Sequence, residues 1–72
     1  MTPKDRQAKF DAIAADFDRN ERRVGVDCGV LTYEYEVMLP VLGAIGNTFE
    51  DEDRAWAFQQ LERVMRERNA AR

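Results

Sequence analysis

A chain of 72 residues, 44% hydrophobic and 35% charged, has the composition of one small folded domain and not of a disordered segment. It carries a net charge of −3, no histidine and a single cysteine, Cys28. Those counts exclude Ser-His-Asp and Cys-His nucleophile systems, zinc sites built on imidazole or on several thiolates, and a disulfide framework within the chain.

The size creates a stability problem. A domain this short buries only about 60% of the surface that its unfolded chain exposes. Neither disulfides nor imidazole metal sites are at hand to staple it. Association is the remaining route, through a self-dimer or through a partner that covers an apolar face. No stretch of about 20 apolar residues is present to span a membrane. The start, Met1-Thr2-Pro3-Lys4-Asp5-Arg6, is polar and lacks an apolar signal region. The expectation is a cytoplasmic chain whose thiol is reduced.

Thr2-Pro3-Lys4-Asp5 reads as a helix start. Thr suits the N-cap, Pro the first helical position, and Asp three residues after the cap can complete a capping box. Phe10, Ile13, Ala14, Phe17 and Val24 follow at helical spacings and make one apolar stripe. Asp11, Asp16, Asp18 and Arg19 take the other face. The first helix is predicted from about residue 3 to residue 20, or to Arg23 with Gly25 as the terminator. Gly25-Val26-Asp27-Cys28-Gly29 is a connector, because two glycines in five residues disfavour a helix.

Val30 to Ile45 admits two readings. As a helix, Leu31, Tyr35, Met38, Leu42 and Ile45 form a core stripe, Thr32 is the cap, and Val37, Val41 and Ala44 add a second apolar face. A helix apolar on two sides is a central one, covered by its neighbours. As a strand, Leu31, Tyr33, Tyr35, Val37 and Leu39 alternate with Thr32, Glu34 and Glu36. Val24-Gly25-Val26 could then pair with them across a turn at Cys28-Gly29. Pro40 fits either reading, as a kink in a helix or as the start of one after a strand. The helix is favoured because the apolar run keeps helical spacing to Ile45.

Gly46-Asn47 is predicted to end that element, and Thr48-Phe49-Glu50-Asp51 to form a second capping box. Glu50 to Asp53 fall in the first turn of the last helix, and Arg63, Arg66 and Arg68 near its end, as the helix dipole favours. Ala57, Phe58, Leu61, Val64 and Met65 form its stripe. This helix is predicted over about 49–69, with the tail Asn69 to Arg72 fraying. The fold expected is a single all-α domain of three helices over residues 1–72. The alternative is α-β-β-α with a central hairpin at about residues 22–38.

The charge is partitioned. Residues 1–23 hold six basic and five acidic groups, residues 54–72 hold five arginines against Glu62 and Glu67, and residues 24–53 hold seven acids and no Lys or Arg. Such an acidic middle repels nucleic acid and attracts basic protein surfaces. The plain account is that four of the acids serve a helix start. The sharper one is an acidic contact surface that imitates a nucleic-acid backbone, and a third is pairing with the Arg-rich end of another copy. Direct nucleic-acid binding is disfavoured, because Glu62 and Glu67 interleave with the arginines and break any coherent basic face.

On a helical wheel of about 100° per residue, Trp56 falls roughly 140° from the Ala57–Met65 cluster, and Phe49 projects to the same side. An aromatic pair off the core stripe suggests a second contact surface. The plain account is that a small bundle wraps around Trp56, or that Phe49 staples the helix start. Tyr33 is a further contact candidate, since a tyrosine suits interfaces. Cys28 has an acid, Asp27, and no cation beside it in sequence, which does not activate a thiol. Asn47, Asp51 and Asp53 lack the Gly and Glu of a calcium loop. No catalytic residue, metal site or cofactor site is assigned.

The reading is a non-enzymatic acidic protein that masks or modulates a larger protein, a nucleic-acid-binding one with a basic surface being one candidate. Phe49, Glu50, Asp51, Glu52, Asp53, Trp56 and Tyr33 are its contact residues. Inhibitors and adaptors of phages and mobile elements have this size and chemistry. A homodimeric structural or regulatory protein is the runner-up, and a small DNA-binding regulator the third reading.

Overall fold

The computed structural model describes residues 1–25 and 27–71. It is all-α, with three helices: α1 (Pro3–Val24), α2 (residues 30–48) and α3 (Asp51–Ala71). Among the described residues there is no strand, so the hairpin alternative fails. Val24 closes α1, and residues 30–39 are helical, so neither arm of the hairpin exists; Val26, its third proposed residue, lies outside the described residues. A helix satisfies its backbone groups within itself, whereas a lone two-stranded hairpin is marginal in water.

α1 starts as its sequence requires. The Asp5 N–H donates to Thr2 Oγ1 at 3.1 Å, and Pro3 occupies the first turn. It runs to Val24, and Gly25 ends it at φ 80° with its N–H on the Glu21 carbonyl. Phe10, Ile13 and Phe17 are its buried face, and Ala14 and Val24 pack at the margin.

α2 departs from its expected boundaries. Gly29, at φ 86°, is its N-cap, and Thr32 lies inside the helix. The helix is α over Val30–Tyr33, widens to a π turn over Glu34–Met38, and is α again over Leu39–Thr48. In the π turn the Leu39 N–H reaches back to the Glu34 carbonyl. The turn lies immediately before Pro40, whose ring crowds the preceding turn of a regular α-helix. Gly46 and Asn47 do not end α2; it continues to Thr48 and stops where Phe49 turns extended.

Thr48 therefore does not cap α3. That helix opens at Asp51, whose φ of 48° is positive, with the Asp53 and Arg54 N–H groups on the Glu50 carbonyl. The Arg54 side chain crosses the corner, its Nε donating to the Phe49 carbonyl at 3.1 Å and its Nη2 to that of Gly46 at 3.2 Å. It satisfies carbonyls that the end of α2 leaves free. Residues 69–71 of the tail are helical, and Arg72 lies outside the described residues.

The topology is up-down-up. Arg6 meets Asp53 at one end of the α1–α3 pair, and Glu21 meets Arg68 at the other, each 47 residues apart in sequence. That constant offset makes α1 and α3 parallel, with α2 running back between their ends. The core is Phe10, Ile13 and Phe17 from α1, Val37, Val41 and Ile45 from α2, Phe49 from the corner, and Ala57 and Leu61 from α3.

The expected core stripe of α2 is only half right. Ile45 is buried, but Leu31, Tyr35 and Leu42 face solvent, and Val37 and Val41 of the supposed second face hold the core. The π turn advances fewer degrees per residue than an α turn, so Leu31 and Ile45 no longer share a side. Nor do neighbours cover α2 on both faces. The molecule measures 38 × 24 × 16 Å. Its accessible surface is 5173 Å², against about 4,600 Å² for a compact monomer of this mass. Among the described residues no helix is long and apolar enough to cross a membrane.

Candidate functional site

Phe49 and Trp56 do not form an open contact surface. Phe49 is fully buried. It belongs to the extended corner before α3, so a wheel drawn for α3 does not place it, and the corner directs its ring into the core. Trp56 is half-buried and packs edge-on against Phe10 and Phe49, at centroid distances of 5.7 Å and 6.2 Å. The Arg6 guanidinium covers its outer side at 4.2 Å and is held there by Asp53 at 3.3 Å. The bundle wraps the indole. As a correction, Phe49 is withdrawn from the contact surface, and Asp53 is engaged within the chain. Glu50, Asp51 and Glu52 remain exposed at the α3 start.

Tyr33 is also drawn inward. Its hydroxyl donates to Glu21 Oε2 at 2.7 Å, while Arg68 Nη1 donates to Glu21 Oε1 at 2.9 Å. Arg68 also pairs with Asp18 and lies over the Phe17 ring at 4.5 Å. Glu21 thus joins all three helices. Tyr33 reaches the surface only in part, at the edge of a different feature.

That feature is the outer side of α2. Val30 is 74% exposed, Leu31 69%, Tyr35 66%, Leu39 52% and Leu42 37%. Two shallow grooves flank this ridge. One is lined by Glu34, Tyr35, Met38, Leu39 and Leu42. The other runs from Val30 and Tyr33 past Met38 to Met65 of α3. Glu34 and Met38 line both. Single exposed apolar residues are ordinary, but here several lie in a row on one helix. Its π turn supplies Glu34, Tyr35 and Met38, and such turns are frequent at functional sites. The signal in the sequence is the pair of apolar faces on this helix, since two neighbours of this size can cover only one.

Chemistry of other kinds has less to build on. Among the described residues no three His, Cys, Asp or Glu side chains converge on a metal-sized site. Cys28 is half-buried, with its Sγ 3.5 Å from the Gly29 carbonyl. No known protein family, characterised protein or solved structure matches the chain.

Proposed function

We propose that this is a non-enzymatic binding protein that masks or modulates a larger protein, and that it does so through the outer face of α2. The observation that carries the reading is the row Val30, Leu31, Tyr35, Leu39 and Leu42, uncovered in a chain with no covalent staple. Covering such side chains contributes on the order of 1 kcal/mol or more each, enough for a specific complex once several are engaged. An apolar helix face laid against a partner groove or helix is a common recognition mode. The exposed acids Glu50, Asp51 and Glu52 lie at a separate corner, outside the proposed face. An inhibitor or adaptor acting in the cytoplasm, of the kind carried by phages or mobile elements, fits this size and chemistry.

A homodimer is the second reading, because another copy could cover the same row. Light scattering separates the two. The binding reading expects a monomer that captures a discrete partner from its host extract. Leu31→Ser with Leu39→Ser removes that partner, and Glu52→Lys leaves it bound. Capture unaffected by the α2 pair, or lost with Glu52→Lys alone, overturns the assignment of the surface.

A further inference from the structure

We infer that the occupant of the α2 face is a basic amphipathic helix of another protein, its apolar side on the Tyr35–Leu39–Leu42 row and a Lys or Arg on Glu34. The inference rests on the binding reading above and names the partner's chemistry.

Charge decides the occupant. Glu34 stands between the two grooves and makes no ion pair among the described residues. No basic side chain lines either groove. Of the other acids nearby, Glu36 is answered by Arg23 at 3.0 Å and Glu21 by Arg68, while Asp27, next to Cys28 of the second groove, makes no ion pair among the described residues. Anything laid over the row covers Glu34 as well, and a carboxylate covered without a partner is costly.

A second copy docked α2 to α2 offers Glu34 no cation from its own α2, because residues 24–53 contain no Lys or Arg. A nucleic acid or an anionic membrane surface would be repelled for the same reason. A helix with one apolar side and flanking cations satisfies both the row and the carboxylate. The grooves on either side of the ridge suit the side chains that flank such a helix's apolar stripe.

Two synthetic helical peptides test this on the intact protein. Both are about five turns long with the same leucine face; one carries lysine on its polar positions and the other glutamate. Binding is followed by calorimetry and by amide chemical shifts. The lysine peptide is expected to bind, with shifts on α2 and around Met65, and to bind at least about tenfold more tightly than the glutamate peptide. Glu34→Gln should weaken it about threefold to fivefold, Leu39→Ser about tenfold, and Glu52→Gln not at all. Equal binding of both peptides on α2 overturns the basic partner and leaves the α2 surface standing. Shifts centred on residues 50–53, or no binding to a monomeric protein, overturn both readings. A tight dimer that protects α2 before peptide is added makes the second copy the occupant and overturns the inference.

Discussion

The guanidinium carbon of Arg6 lies 4.2 Å from the centroid of the Trp56 ring, and Asp53, one turn before Trp56 on α3, holds it there. This contact closes the end of the bundle where α1 and α3 begin. With Phe10 and Phe49 edge-on to the same indole, Trp56 is a packing residue. Trp56→Ala should therefore lower the unfolding free energy by about 3 kcal/mol. Arg6→Ala should cost about 1 kcal/mol, shared between the lost cation–π contact and the partly buried ion pair to Asp53. Urea titration measures both. A Trp56→Ala protein as stable as the wild type would return the indole to the role of an external contact.

Glu21 offers a second test at the opposite end. It accepts from the Tyr33 hydroxyl and from Arg68, which also stacks on Phe17. Tyr33→Phe should cost about 1 kcal/mol and Arg68→Ala about 2 kcal/mol, since the latter leaves Asp18 and Glu21 without their cation. The two substitutions share one carboxylate, so they should not add. A double-mutant cycle should give a coupling of about 0.5–1 kcal/mol. Strict additivity would mean that the two contacts act independently.

The helical character of the chain is legible in its sequence where local chemistry and periodicity agree. Thr2, Pro3 and Asp5 start α1, and Phe10, Ile13 and Phe17 fall on its buried side. Agreement fails where a single geometric event overrides the period. The π turn at Glu34–Met38 rotates Leu31 and Tyr35 away from Ile45, and no propensity marks it except the Pro40 that follows. The second corner fails for a related reason. Thr48 has good capping chemistry, but α2 continues through it, and Arg54 does the capping from five residues beyond Phe49. A side-chain cap that reaches back across the corner in this way has no sequence signature. The aromatics with the strongest interface chemistry in the sequence, Phe49 and Trp56, are the ones the corner folds inward.

That corner is itself testable. Asp51 holds a φ of 48°, a region that costs side-chain-bearing residues roughly 1–2 kcal/mol and that Asp and Asn tolerate best. Asp51→Asn and Asp51→Gly should leave stability nearly unchanged, and Asp51→Val should lower it by about 1–2 kcal/mol. Arg54→Ala should cost about 1 kcal/mol through its two lost carbonyl contacts. Thr48→Ala, by contrast, should be nearly silent in a thermal melt. A large loss there would show that the threonine caps α3 in solution.

Val37 and Leu39 lie two residues apart on α2 and differ completely in surroundings, at 0% and 52% exposed. Val37→Ala removes buried carbon from the core and should cost about 1–2 kcal/mol at any protein concentration. Leu39→Ala removes a side chain that an isolated copy leaves half in water, and should change stability by less than about 0.5 kcal/mol. Self-association would alter the second result in a recognisable way. A dimer stabilises its folded subunits by mass action, so the melting temperature would climb with protein concentration, and Leu39→Ala would abolish the climb. A melting temperature independent of concentration, with Leu39→Ala neutral throughout, leaves the apolar face of α2 open for a different molecule.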